Sequence, residues 1–504
     1  MARVSQSRSG VQHKNSEDAY QKNLSFVEGA QKGYTNLGPE HFLHGRMGPW
    51  PQPSPAHPIG EAPAVIHLPW KEKLDWWLWI GSRYVATLAY SPIAYLRSIF
   101  RPGLAEVSDQ EFTMMLQDSM LSKFITPKFD HRDIEIFKEQ MVTGQNYFIV
   151  DLEAVKVVNT FDGIYCSGTK TLLLEKSKNE YEVLSIWVDK TSTLLFPNDG
   201  DAWELAKYFV LQGGALCATL VVHPLLHFPL DAINAITKTA VPKDHILFKL
   251  IYPHTRFTLP LENAVLTYKT SLLQGKWWMT YAPYPGDAKG LRELLVQGYM
   301  GIKGNDSYEP FKYPLIPKKV WSKYGEFQDQ YYQAFYDFVS VVLKDISKDD
   351  YFVASWAKWI SQNVPGFPNE KEIFEGDNLV KAVAFYMWDV TVGHTVDHYN
   401  YGEMDVRKIP LRLRQAPPRK GDKMMSRKKL VKFWDTGKYI MAQILFYRPT
   451  TVTKLMDTEY NFENSEHSSA AEKFFTTLRE LDKKFEKTGM RYIPLEKIAR
   501  SIQS

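Results

Sequence analysis

Cysteine is almost missing from this chain: 504 residues hold two, Cys166 and Cys217. Two cysteines exclude a disulfide framework and a zinc site built on thiolates. An excess of one charge is missing too. The 61 Lys and Arg face 57 Asp and Glu, a net +4 that does not by itself argue for nucleic acid. The N-terminal MARVSQSRSGVQHKNSEDAYQK has no apolar h-region, so no secretory signal is expected and a cytoplasmic protein fits best. No internal repeat is present. Long hydrophobic runs are few. LDWWLWIGSRYVATLAYSPIAYL, Leu74 to Leu96, comes nearest to a membrane span, but Arg83 sits inside it and Pro92 breaks its far end. A spanning helix needs about 20 predominantly apolar residues, and a central Arg is costly there. The first reading is a buried helix and a loop; the second is peripheral contact with a membrane or lipid surface.

The chain is instead apolar and aromatic. Hydrophobic residues make up 44% of it, with 14 Trp, 28 Tyr and 28 Phe. That implies a large aromatic interior or an apolar cavity to line. Residues 1–65 are polar and rich in Gly, Pro and His, and read as an irregular or disordered arm. Residues 66–504 read as one mainly α domain. Thr169 to Lys190 alternates as a small hairpin with SKNE as its turn. Helical spacing of apolar residues marks DAWELAKYFVLQ, FQDQYYQAFYDFVSVVLKDI, DDYFVASWAKWISQNV, NLVKAVAFYMWDVTVGHTVDHY and SRKKLVKFWDTGKYIMAQILFY. SSAAEKFFTTLRELDKKFEKTG is a late amphipathic helix closed by Gly489. Basic residues cluster between Arg407 and Lys432. They read as a solvated loop and helix face, or as a surface that attracts anionic lipid head groups.

Histidine carries the chemistry. Two pairs, His223/His227 and His394/His398, share the spacing H-x-x-x-H. On a helix, positions i and i+4 share one face, so each pair can aim two rings at one point. Two such segments facing each other would present four imidazoles. Both pairs lie in apolar runs, LVVHPLLHF and MWDVTVGHTVDHY, where an unpaired His is expensive to bury. No histidine falls between His254 and His394. A four-His metal site and a set of satisfied core histidines both remain open at this point. If a metal is held, iron, manganese, copper, nickel and zinc all suit imidazole. A zinc protease needs Glu directly after its first His, and Pro224 stands there.

A longer pattern resembles the lipoxygenases. His227, seventeen residues, His245, eight residues and His254, with Arg256 two positions on, match that family's spacing. HILFKLIYPHTRFTL, DAWELAKYFV, GFPN and QAPPR (Gln415 to Arg419) resemble its further stretches. The final IARSIQS resembles the family's tail, whose terminal carboxylate binds the metal. The resemblance spans roughly residues 130–504. It implies a mainly α catalytic domain with a small β-hairpin, without the N-terminal β-sandwich of many members. It implies a ligand set of His223, His227, His394, His398 and the main-chain carboxylate of Ser504. His245, His254 and Arg256 become structural, and Val265 or Leu266 falls at the oxygen pocket. Three residues within the first pair suit a regular helix where many members need a π-bulge, although Pro224 and Pro229 should kink it.

The activity so implied is that of a non-heme iron dioxygenase, with manganese as the alternative metal. It would turn a polyunsaturated fatty acid or related lipid and O2 into a hydroperoxide, an oxylipin precursor. A metal-bound hydroxide, not a side chain, would take the hydrogen atom from the bis-allylic carbon. Two alternatives stay in play: the same iron fold with altered chemistry, such as hydroperoxide rearrangement or oxidation of another unsaturated metabolite, and an inactive lipid-binding relative.

Overall fold

The structure is a computed structural model. It describes residues 70–261, 283–287, 290, 291, 293, 294, 320–362, 364, 366–447, 453–488 and 493–502; for residues 224, 225, 228, 229, 231, 400–403, 446 and 447 it gives the backbone alone. The arm at residues 1–65 lies outside this set.

Helix α1 (Trp70–Phe100) opens the described chain. Pro92 does not break it. Proline lacks the amide that would bond to the carbonyl of residue 88, and the Ser91 hydroxyl donates to that Leu88 carbonyl instead at 2.8 Å. Nor is the helix buried all round: Trp70, Leu78 and Val85 are among its exposed residues. Short helices α2 (Asp109–Gln117) and α3 (His131–Phe137) flank the first strand. The α3 N-terminus is closed by a capping box of Asp130 and Asp133.

The expected hairpin is the middle of a larger sheet. Strands β1 (Ile125–Thr126), β2 (Tyr147–Asp151), β3 (Thr169–Ser177), β4 (Glu180–Val188) and β5 (Thr193–Leu195) pair antiparallel in chain order. Asn179, at φ 71°, makes the β3–β4 turn. One face meets the main core; the other closes a small core of Phe137, Tyr147, Ile149 and Leu172 beneath α3. Lys170 crosses that layer fully buried and is matched by Asp133, Asp151 and Glu153.

Helices fill the rest. In the first half stand α4 (Asp201–Cys217), α5 (Phe228–Ala240) and α6 (Ile246–Ile251). In the second half stand α7 (Lys323–Val342), α8 (Tyr351–Ser361), α9 (Asn378–Trp388) and α10 (His394–Glu403). Beyond them come α11 (Arg427–Leu430), α12 (Phe433–Ala442) and α13 (Ser465–Lys487). The run expected as one helix from Ser426 is thus two. The Leu430 carbonyl accepts from the Arg414 amide, which pulls Val431 into an extended conformation before α12 starts. Asp201–Val222 is long and apolar enough to cross a membrane, but it lies buried inside the protein. The sheet packs against it through β3, β4 and β5, and Gln212 ties it to the Leu411 carbonyl.

Candidate metal centre

Two segments carry the histidine pairs. The first is α4, which becomes a π-turn at Ala218–Val222 immediately before His223. The second is α9, which becomes a π-turn at Asp389–Gly393 immediately before His394. A π-turn adds one residue to a helical turn, rotating the downstream chain by about 100° relative to the upstream helix. Each segment can therefore keep its upstream apolar face in the core and still swing its histidines toward the other. The regular helix expected for the first pair is not the one that forms. After the π-turn, His223–Leu226 winds as 3-10 and the chain breaks at His227, with φ −111° and ψ −67°, before α5 begins. Pro224 and Pro229, which cannot donate backbone hydrogen bonds, account for the break. The second pair sits on unbroken α-helix, as its spacing predicts.

The four rings converge. One ring nitrogen from each of His223, His227, His394 and His398 lies within 4.8 Å of the others. His223 Nε2 is 2.7 Å from His227 Nε2 and 3.1 Å from His398 Nε2. Ring centroids are 4.4 Å apart for His394 and His398 and 4.9 Å for His227 and His394. A ring nitrogen has a single in-plane lobe, so His223 Nε2 cannot make both of its contacts as good hydrogen bonds. His394 Nε2 is buried without a hydrogen-bond partner. Converging lone pairs and an orphaned buried nitrogen are what a cation among the rings would satisfy. Burial, then the neighbouring histidines, hold His223 and His394 well below the usual imidazole range, which favours the neutral, metal-binding form. Of the four, His223 is half-buried and the other three are buried. The residues present fit a single divalent first-row metal ion held by imidazole; no thiolate or carboxylate shares the cluster among the described residues.

Sequence reasoning missed the supports around the cluster. Asp397, beside His398, is buried and accepts from Lys123 Nζ through both oxygens at 2.7 and 2.8 Å. Tyr324 donates its hydroxyl to the same carboxylate. Asp389 opens the second π-turn; burial pushes its carboxyl well above the usual range, with Lys123 opposing and Asp397 adding to the rise. Gly393 lies close beside it: a Cβ there would sit 2.6 Å from Asp389 Oδ1, so a larger residue would have to displace that carboxyl. The available signal was a charged residue inside an apolar run, but Lys123 and Asp397 are 274 positions apart and nothing local pairs them.

The remaining predicted residues lie elsewhere. His245 caps α6, accepting from the Leu247 amide at 3.2 Å, and its Nε2 meets Asp350 at 3.1 Å. His254 is buried, and burial lowers it to about 3 despite the stabilising bond to Arg500. Its Nδ1 donates to the Arg500 carbonyl at 2.7 Å, and its Nε2 accepts from Tyr460 at 2.8 Å. Arg256 donates to Asp75 through Nε and Nη2. Near the end of the chain, Ser501 donates to the Arg256 carbonyl at 2.6 Å, and the Ala499 amide donates to Thr395 Oγ1 at 3.2 Å. Thr395 directly follows His394, so the tail is tied to the second histidine segment. Ser504, Val265 and Leu266 lie outside the described residues.

Solved structures similar to this chain include lipoxygenases. The manganese lipoxygenase of Gaeumannomyces graminis superposes with a TM-score of 0.71 over 94% of this chain and 98% of its own, at 14% identity. The chain has the lipoxygenase fold. A LOX variant crystallised anaerobically with arachidonate gives 0.66 at 15% identity, covering 94% of this chain and 81% of that one. Coral 8R-lipoxygenase gives 0.61 at 16% identity, over 78% of this chain and 66% of that one. No family model matches the sequence, and no curated protein matches it. The fold is shared although only 14–16% of the residues are identical. The expected mainly helical catalytic domain with a small β element agrees with it.

Proposed function

We propose that this protein is a lipoxygenase-type, metal-dependent dioxygenase that converts a polyunsaturated fatty acid or related lipid and O2 to a hydroperoxide. One observation carries the reading: in a lipoxygenase fold, two π-turned segments bring four imidazole nitrogens within 4.8 Å of one another. His223, His227, His394 and His398 would hold the ion, iron or else manganese, with the Ser504 main-chain carboxylate as a fifth donor. When bound, the ion supplies the one-electron chemistry for hydrogen abstraction at a bis-allylic carbon and for oxygenation. The chain's own work is preparatory. Burial favours neutral ligand rings, and the apolar run around them, including Val221, Val390, Val392 and Val396, keeps water from a reactive lipid radical. The tail is drawn toward the second histidine segment through Thr395 and fixed by His254. The arachidonate-bound LOX structure supports fatty acid as the substrate class.

Elemental analysis paired with an oxygenation assay tests the reading. Purified protein is expected to carry about one iron or manganese per chain. Linoleic or arachidonic acid should then give conjugated-diene absorbance and oxygen uptake. His227→Ala, or removal of Ser504, should abolish metal retention. Full metal content in both variants overturns the ligand assignment. Metal without oxygen uptake, but with loss of added lipid hydroperoxide, replaces dioxygenation with hydroperoxide rearrangement.

A further inference from the structure

The inward face of helix α1 is mixed, with Trp76, Ile80 and Ala94 buried beside polar residues. Its buried positions include Glu72, Arg83, Thr87 and Ser98. Two polar bonds fasten that face to the protein, Glu72 to Lys238 at 2.8 Å and Arg83 Nη2 to the Ile444 carbonyl at 2.8 Å, while Ser98 donates within its own helix to the Tyr95 carbonyl. Its outward positions are apolar almost without interruption. Trp70, Leu74, Leu78, Val85, Leu88, Ile93, Leu96, Ile99 and Phe100 are all exposed, Leu78 and Val85 at 69%. Thirty-one residues at 1.5 Å each make this a strip of roughly 46 Å. Exposed apolar surface on that scale is not an ordinary feature of a soluble face.

The strip ends among cations. Tyr95 of α1 packs on Trp434 of α12, itself 59% exposed, with ring centroids 5.1 Å apart. The Leu104 amide, just beyond α1, donates to the Arg427 carbonyl, which brings the α11 chain alongside. Arg97, Arg101, Lys428, Lys429 and Lys432 are exposed at this end. Among the described residues the nearby carboxylates are paired, Asp405 with Arg407, Asp435 with Arg412 and Glu106, more loosely, with Arg427 at 3.8 Å. A cavity of about 560 Å³ opens between α1, α12 and the Met404–Arg407 loop, with Arg97 and Arg101 in its wall beside Leu96 and Phe100.

We infer that this face docks on a membrane surface containing anionic lipid. The α1 strip lies in the interface, Trp434 sits at head-group level, and the five cations meet lipid phosphates and carboxylates. Charge decides between this partner and a second copy of the chain. A two-fold dimer pairing the strips would set the basic end against another basic end. In the opposite sense it would meet the α1 N-terminus, where Lys73 is exposed while Glu72 and Asp75 are already paired with Lys238 and Arg256. Among the described residues neither arrangement supplies the missing negative charge; an anionic bilayer does. The inference stands independently of the metal centre.

Vesicle flotation with the full chain tests it without turnover. Wild type should float with vesicles of phosphatidylcholine and phosphatidylserine, less with phosphatidylcholine alone, and less as salt rises. Leu78→Glu/Val85→Glu and Lys428→Glu/Lys432→Glu change exposed side chains, so circular dichroism and metal content should stay as in wild type. Each double variant should reduce flotation at least tenfold. Failure of wild type to float with either vesicle overturns the proposal, as does undiminished flotation of either variant. A stable dimer in sedimentation velocity that Leu78→Glu/Val85→Glu dissociates would assign the strip to a second copy instead.

Discussion

The two histidine segments begin alike and finish differently. Each runs as α-helix, passes through a five-residue π-turn and delivers its first histidine at the next position. After His223 the backbone tightens to 3-10 and breaks at His227. After His394 it returns to regular α-helix. The same task, two imidazoles aimed at one point, is thus met in two ways. In the first segment the positioning is local and comes from prolines that remove backbone donors. In the second it comes from distant groups: Lys123 and Tyr324 on Asp397, and the tail amide of Ala499 on Thr395. The first half of the site should therefore tolerate changes far away in sequence better than the second.

Asp397→Asn is the strongest test of that contrast. It leaves Lys123 buried without its counter-charge, and breaking a buried pair from one side costs about 3–5 kcal/mol. Urea unfolding should show that loss, and metal affinity should fall with it as His398 loses its fixed helix. Replacing both partners, Lys123→Met with Asp397→Leu, should recover much of the stability because no charge is left stranded. Equal loss in the single and double variants would mean that the ion pair does not position the second segment.

Acid should probe the same dependence at the tail. Unfolded His254 takes its proton near 6.5, whereas in the folded protein burial lowers it to about 3. Between those values the unfolded state binds more protons, so stability is lost as pH falls through this window and is fully present above it. From this group alone the loss from pH 7 to pH 5 is about 2 kcal/mol. His254→Gln should flatten the profile over that interval, even though it lowers stability at pH 7. An unchanged slope would show that the imidazole holding the Arg500 carbonyl is not what makes the tail acid-sensitive.

How far the sequence discloses this design depends on how local each feature is. Both H-x-x-x-H pairs are visible because four positions suffice to define them, and the helices that carry them follow from apolar spacing. The π-turns are not visible: ATLVV and DVTVG contain nothing that demands an i+5 bond, and only Gly393, wedged against Asp389, hints at crowding. Lys123 and Asp397 read as unrelated charges until the fold joins them. The outer strands β1 and β5 span two and three residues, too short to alternate, so a five-stranded sheet reads as a hairpin. Helix α1 misleads most. Trp, Leu and Ile are core residues by composition, and Pro92 is a breaker by habit. Yet partners for Glu72 and Arg83 and a hydroxyl on the Leu88 carbonyl give one continuous helix with its apolar side outward.

Pro224→Ala is the finest probe of the first segment. Alanine restores a donor and frees φ at the position after His223, where the second segment has Thr395 after His394. If proline merely pre-sets a break that the rest of the fold already requires, the variant should lose only about 0.4–1 kcal/mol, through the greater freedom of its unfolded chain. Metal stoichiometry should then stay at the wild-type value, because α4 and the π-turn still deliver His223 and Pro229 still forces α5 to restart. A loss of metal without a matching loss of stability would mean that the 3-10 turn itself sets the 2.7 Å approach of His223 to His227. The two segments would then be equally exacting, one through its backbone and the other through its buried ion pair.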